Sequence, residues 1–425
     1  MSNKNNARFL AVKALCRVDA DGSYSNITLN SLLSDYDLSA EDKALCSRIF
    51  YGTLDRKITI DFILKSFINK GFNKLKPFTL NTLRSAVYQI KYLDKIPDSA
   101  AVNEAVKLMK ASKESFAANF VNGVLRNVAK TDIKLPDGND SASISVRFSC
   151  PEAIVKGLIR DYGVEDTVKF LENSLLPPPT YIRVNTLKTT ADELMSELQN
   201  IGVSVEKTKL QNCLSISGYS ALEQMEVFKK GFFHVQDIAC QTAVNMLDIQ
   251  NDDSLLDLCS APGGKAFTAY LLAERVRITA TDLYPKRVKL INSGASRLGF
   301  ERINAVTLDA TKFDSELGQF DRIICDVPCS GIGVLRRKPE IKYKKPDDIT
   351  ELVNIQFDIL NCADRYLKTG GKLLYSTCTL NKAENENNVL RFLSEHKNYT
   401  LCSIKTFMPQ NDGSDGFFAA VIVKN

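Results

Sequence analysis

Two cysteines about fifty residues apart carry the most distinctive chemistry in this chain: Cys329 in Asp326-Val-Pro-Cys-Ser-Gly331 and Cys378 in Tyr375-Ser-Thr-Cys-Thr379. The C5 carbon of a pyrimidine is a poor nucleophile until something adds covalently at C6. A thiolate can add there, and a second group can then help it leave. Upstream lies Asp257-Leu-Cys-Ser-Ala-Pro-Gly-Gly-Lys265, a glycine-rich turn of the kind that holds a nucleoside cofactor. One such cysteine alone would be an inert small hydrophobe. Both together, behind that turn and each near the end of an expected strand, read as equipment for methylating cytosine at C5.

The chemistry needs elements to hold it. From Ser254 onward strand and helix patterns alternate, which predicts a parallel sheet flanked by helices. The expected strands are Ser254–Leu258, Ile278–Thr281, Ala305–Leu308, Arg322–Cys325 and Lys372–Tyr375, with the longest intervening helix around Ile349–Leu367. A closing strand, Phe417–Val423, is expected to form a hairpin with Thr400–Phe407. Ligands of such sheets sit at the carboxyl ends of the strands. Asp257, Asp282, Asp309 and Asp326 each close one of them.

Asp282 stands where Rossmann-like folds place the acid that takes ribose hydroxyls, and Asp309 is placed to meet the adenine side. The turn is not G-x-G-x-x-G, which disfavours NAD and FAD, and Lys265 is followed by Ala266, so it is not a P-loop. S-adenosylmethionine suits it, because no diphosphate has to be cradled. One strand-terminal Asp would be a cap; four in succession point to a ligand.

For the target base, extrusion from its stack is expected, with Asp326 holding the N3/N4 edge. Pro328 has no N–H, so its carbonyl is expected to be free to accept from N4. Arg336, Arg337 and Lys338 follow the Cys329 loop, with Lys342, Lys344 and Lys345 beyond, and are expected to contact RNA phosphates. Tyr343 within this run could stack on a base.

The first part of the chain differs. From Ala7 to about Lys130 apolar residues recur at helical spacing, as in Leu80, Leu83, Val87 and Ile90, or Phe120, Val121, Val124 and Leu125. Ser39-Ala-Glu-Asp42 resembles a capping box, and Asp98 is expected to cap the helix through Val102 and Met109. The polar stretch from Leu135 to Ala142 reads as a linker. Tyr181–Asn185 and Cys213–Ile216 read as strands around a helix capped at Thr190-Ala-Asp-Glu193, with Pro177–Pro179 leading in. The expected architecture is multidomain: an all-α bundle over 1–135, a small α+β module over 143–235, and an α/β Rossmann-like domain over 236–425.

Residues 1–135 hold 21 Lys and Arg against 13 Asp and Glu, a net of +8, while the remainder holds 34 against 37. Charge concentrated in the bundle suggests a polyanion partner. No apolar run approaches the ~20 residues of a membrane span, and the start has no signal-peptide pattern, so a cytoplasmic protein is expected. Eleven scattered cysteines and two histidines fit neither a disulfide framework nor a zinc site, so no metal is expected.

These motifs resemble the RNA cytosine-5 methyltransferase family known as NOL1/NOP2/Sun. The likeness lies in the Asp257–Lys265, Asp326–Gly333 and Ser376–Thr379 segments, and extends to Pro177–Asn185, Gly231–Asp237 and Asp415-Gly-Phe-Phe418. The bundle looks like an NusB-type RNA-binding domain, a pairing typical of bacterial enzymes of the family acting on 16S ribosomal RNA. The resemblance implies S-adenosylmethionine held by Cys259, Ser260, Ala261, Pro262, Gly263, Gly264, Lys265, Asp282, Asp309 and Asp326. It implies Cys378 as nucleophile, Cys329 as the helper in product release, and 16S ribosomal RNA as substrate; a monomer is expected. The same chemistry on transfer RNA, or a non-catalytic RNA-binding adaptor, stays open here. Where the family has Glu-Ala-Ser after Gln236-Asp237, this chain has Ile238-Ala239-Cys240.

Overall fold

Apolar residues at helical spacing in the first third of the chain fold as helices around shared cores. The computed structural model describes residues 6–21, 25–219, 221–343 and 347–425. Two compact units result, one reaching Leu175 and including Lys338–Lys344, the other formed by Leu176–Arg337 and Lys345–Asn425.

In the first unit, helices Lys57–Phe67, Pro77–Tyr92, Asp98–Lys110 and Ala118–Lys130 bury Ile60, Leu64, Leu83, Val87, Val121 and Leu125 together. A second cluster joins Leu10 and Ala14 of helix Ala7–Asp21 to Ile49 and Phe50 of helix Ala40–Asp55. Ser39 caps the latter, its hydroxyl accepting from the Asp42 N–H at 3.1 Å. Two expectations shift. Asp98 is not a cap: Pro97 takes the N-cap with extended backbone, and Asp98 becomes the first helical residue, where its charge still favours the helix N-terminus. Phe120 lies off the buried stripe made by Val121, Val124, Leu125 and Val128 and is 41% exposed.

The chain does not leave this unit at the expected linker. Asp140 accepts from the Ala142 and Ser143 N–H groups and starts helix Ser141–Phe148. Thr59 donates to the Val146 carbonyl and Ser149 accepts from the Ile58 N–H, so this helix packs on the bundle, and helix Glu152–Ser174 follows it.

The second unit begins with a four-stranded antiparallel sheet: β1 Thr180–Val184, β2 Ser204–Lys207, β3 Cys213–Ser217 and β4 Phe233–Val235, in the order β2-β3-β1-β4. Helix Ala191–Asn200 covers it, opened by a full capping box of Thr190 and Glu193. Asn185 donates to the Gly231 carbonyl and to that of Leu298, so it pins this module to the last residue of helix Pro285–Leu298.

The larger sheet holds β5 Ser254–Asp257, β6 Arg277–Asp282, β7 Ile303–Thr307, β8 Phe320–Asp326, β9 Leu367–Thr377, β10 Tyr399–Phe407 and β11 Phe417–Lys424, ordered β10-β11-β9-β8-β5-β6-β7. Strands β5 to β9 run parallel, and β11 is antiparallel to both neighbours. One apolar core packs helices Ile238–Met246, Gly264–Leu272 and Pro285–Leu298 on one face; another packs Asp347–Tyr366 and Glu386–Glu395 on the other. The chain leaves β5 toward β6 but leaves β8 toward β9. The carboxyl ends of β5 and β8 therefore flank the switch point where ligands of such sheets bind.

Candidate active site

The turn after β5 is tied down from within. The Ser260 N–H donates to the Thr281 carbonyl at 2.8 Å, and the Gly263 N–H to the Ser260 carbonyl at 2.7 Å. Gly263 has φ +109°, and a Cβ there would stand 2.3 Å from the Phe267 ring, so only glycine fits. Helix Gly264–Leu272 starts directly behind it.

Asp257 is wholly buried at this turn, its carboxyl facing the Ser260 hydroxyl and the Ala266 N–H. A buried acidic group with spare acceptor capacity beside a glycine turn suits a ligand with hydrogen-bond donors and positive charge, which S-adenosylmethionine has. Asp282 ends β6 and is 2% exposed, accepting from the Tyr284 N–H and pairing with Arg287 at 3.1 Å. Arg287 also donates to the Ala261 carbonyl and so links the two strand ends. Asp309 stands two residues past β7 and caps its own turn through Thr311.

Burial pushes the Asp257 carboxyl up to about 7. A carboxyl whose folded pKa is raised stabilises most below its unfolded value near 4, and that advantage is lost as pH rises through 7. Asp257→Asn removes the titration. Relative to wild type, this variant should therefore gain stability between pH 5 and pH 8, by about 2–3 kcal/mol. Urea midpoints measured at both pH values check it, and a pH-independent difference would contradict a neutral buried carboxyl.

At the end of β8, Asp326 accepts from Ser376 at 2.9 Å and pairs with the buried Lys265 ammonium at 2.5 Å. Asp326 holds the lysine charged: despite burial, the Lys265 pKa lies above its ordinary value. The two cysteines meet beside this pair, with Cys329 Sγ and Cys378 Sγ 3.2 Å apart. The Gly333 N–H donates to the Cys378 carbonyl, and the Gly416 N–H to the Gly333 carbonyl, so both motifs and the β11 entry share one backbone knot. A Cβ at Gly333 would stand 1.9 Å from the Gly416 oxygen. The Cys329 thiol is driven well up by the neighbouring Cys378 sulfur, then by burial.

Three expectations change here. The Pro328 carbonyl is not free, since Gln356 Nε2 donates to it at 2.9 Å. Arg336 and Arg337 are not free cations: both pair with Asp415, Arg336 at 2.6 Å, and Arg337, which stays exposed, also donates to the Pro179 carbonyl. Their carboxylate partner lies some eighty residues further on and was invisible to a local count of charges. Lys342 turns into the first unit, where its buried ammonium bonds Asp55; Tyr343 donates to the Leu54 carbonyl there instead of offering a face for stacking. Lys338 remains exposed, and Lys344 and Lys345 lie outside the described residues.

The sequence reading passed over Glu384, Gln356, Ser330 and Asn385, which form a buried polar network around both cysteine loops. The signal was the run Asn381-Lys-Ala-Glu-Asn-Glu-Asn-Asn388, unusually polar for a segment entering an α/β core. Among the described residues no group of His, Cys, Asp or Glu could hold a metal, and no helix is long and apolar enough to cross a membrane.

A Rossmann-like sheet with this turn and thiol pair defines a methyltransferase of the S-adenosylmethionine-dependent class, and comparison with known proteins agrees. Residues 244–423 match the model of the 16S rRNA methyltransferase RsmB/F family, 5–130 the NusB family, and 150–222 the ferredoxin-like domain of RsmF/B-like methyltransferases. The chain is 39% identical over 404 residues to a probable ribosomal RNA small subunit methyltransferase B of Bacillus subtilis strain 168, covering 93% of this chain and 90% of that one. It is 29% identical to ribosomal RNA small subunit methyltransferase B of Photorhabdus laumondii over the whole of both chains. The chain belongs to this family of small-subunit rRNA methyltransferases. Its fold is shared by the crystal structure of PH0851 (TM-score 0.82, 24% identity, 100% of this chain and 99% of that). It is also shared by NSun6 from Pyrococcus horikoshii with SFG (TM-score 0.60, 22% identity, 64% and 98%).

Proposed function

We propose that this protein methylates a cytosine at C5 in 16S ribosomal RNA through a covalent adduct between Cys378 and C6. The observation that carries the reading is the sulfur pair, 3.2 Å apart beside the Lys265–Asp326 ion pair at the switch point. S-adenosylmethionine, when bound, supplies the methyl group as an electrophile. The residues that would hold it are the Cys259–Lys265 turn, Asp257, Asp282 and Asp309.

The target base has to be extruded to reach the thiols. Asp326, fixed by Ser376 and Lys265, is positioned to engage the base's N3/N4 edge, while the Pro328 carbonyl keeps one lone pair beside its bond from Gln356. Cys378 forms the S–C6 bond, which places an electron pair at C5 for methyl transfer. Solvent water takes the C5 proton, the electron pair of the broken C5–H bond forms the C5=C6 double bond, and the S–C6 pair leaves with Cys378 as thiolate. Cys329, held as a thiol within contact of Cys378, assists this release. The basic helical bundle supplies affinity for the RNA backbone.

Bisulfite sequencing of 16S ribosomal RNA tests the reading. A strain lacking the protein should lose protection at a cytosine, and the purified enzyme with S-adenosylmethionine should restore it. Unchanged protection across 16S ribosomal RNA would refute it.

A further inference from the structure

Glu384 is wholly buried in the turn that follows the Cys378 motif, and neutral donors converge on both of its oxygens. Oε1 accepts from the Ser330 hydroxyl at 2.6 Å and from Asn381 Nδ2 at 3.0 Å. Oε2 accepts from the Ser330 N–H at 2.8 Å and from Gln356 Nε2 at 3.0 Å. The same Gln356 amide donates to the Pro328 carbonyl, so the residues on both sides of Cys329 hang on this one carboxylate. The other cysteine is tied to it as well. The Ser330 hydroxyl lies 2.7 Å from Thr379 Oγ1, next to Cys378, and Tyr375 of β9 donates to the Glu384 carbonyl.

A buried carboxylate facing neutral donors is costly, and a chain selected only for stability would more readily hold an amide or an apolar side chain. What a carboxylate offers is an acceptor-only group able to take all four bonds, whereas an amide accepts through one atom and turns an NH₂ toward donors. We propose that Glu384 is a positioning residue for product release: its four accepted hydrogen bonds clamp the Cys329 loop against the Cys378 turn and set the spacing of the two sulfurs. This rests on the reading of Cys329 as the thiol that assists release. The charge of Glu384 also contributes to holding the Cys329 thiol protonated, after the larger effects of Cys378 and burial.

The test uses full-length enzyme with 16S ribosomal RNA and S-adenosylmethionine, comparing wild type, E384Q, S330A and C329A. E384Q should bind cofactor as wild type does and transfer methyl in the first turnover. Its release should slow at least tenfold, leaving protein–RNA adduct on a denaturing gel. S330A, which loses one donor and keeps the backbone N–H, should slow release by a smaller factor. A folded E384Q that releases product at the wild-type rate overturns the proposal. If E384Q fails to fold, S330A decides, and wild-type release in that variant overturns it.

C329A separates the two layers, since absence of adduct there refutes the assignment of thiol roles and not the clamp. The clamp is then judged without RNA, by adding a small disulfide reagent that takes two electrons and two protons from Cys329 and Cys378 as they bridge. Bridging should be at least tenfold slower in E384Q than in wild type, and equal rates overturn the proposal.

Discussion

A protein carrying Cys329→Ala is expected to end its first turnover bonded to its RNA. The attacking sulfur, the Lys265–Asp326 pair and the cofactor turn are all intact in that variant, so the S–C6 bond forms and the methyl group is transferred. What is missing is the thiol 3.2 Å from the one that must leave. Assistance by a positioned proton carrier is typically worth 10²–10⁴ in rate, so release should slow by at least about a hundredfold. The adduct should survive denaturing electrophoresis, because a thioether is covalent. Cys378→Ala should show no adduct and lose methylation by more than about a thousandfold, the usual cost of deleting a nucleophile. We propose this assignment over its reverse because Cys329 lies in the loop clamped through Ser330 and Pro328, which suits a group held in place for release. An adduct trapped by Cys378→Ala and absent from Cys329→Ala would exchange the roles while leaving the reaction class standing.

The sheet that holds this chemistry was legible because its strands are short apolar runs closed by aspartates. Ser254–Asp257, Arg277–Asp282 and Phe320–Asp326 each lie within two residues of expectation. Pairings distant in sequence were not legible. Lys265 and Asp326 were each picked out, but nothing local says that they meet, and the six cations of Arg336–Lys345 look alike until folding shows which are taken. Arg336 finds Asp415 79 residues later, and Lys342 finds Asp55 287 residues earlier. Each of these trades hydration for a fixed partner, a choice made by tertiary contacts that no charge count contains. Glu384 was missed for a related reason. A polar run after a strand reads as a solvated loop, and only the folded chain shows its donors converging inward. At Asp98 the local rule was right about charge and wrong by one residue about the cap, because Pro97 already has the backbone that a cap requires.

The fate of Lys342 leads to the largest stability effect expected outside the catalytic unit. Its side chain is fully buried, and its ammonium donates to Asp55 Oδ1 at 2.6 Å and to the Asp55 carbonyl at 3.1 Å, at the end of helix Ala40–Asp55. Asp55→Ala leaves that charge inside with only a backbone partner. Removing one member of a buried pair costs about 3–5 kcal/mol. The surviving carbonyl, and the partial exposure of Asp55, place this case near the lower end, at about 3 kcal/mol. Lys342→Met replaces the ammonium with an apolar chain of similar length and should change stability by less than about 1 kcal/mol. The double variant should recover most of what Asp55→Ala loses, since no charge is then left unpaired. Thermal unfolding followed by far-ultraviolet circular dichroism reads the series. At roughly 2–4 °C per kcal/mol for a unit of this size, Asp55→Ala should melt some 6–12 °C lower. A neutral Asp55→Ala would mean that Lys342 swings out to water at little cost. Its place among the phosphate contacts would then have to be restored, and the segment after the Cys329 loop would return to the RNA-facing role that its sequence first suggested.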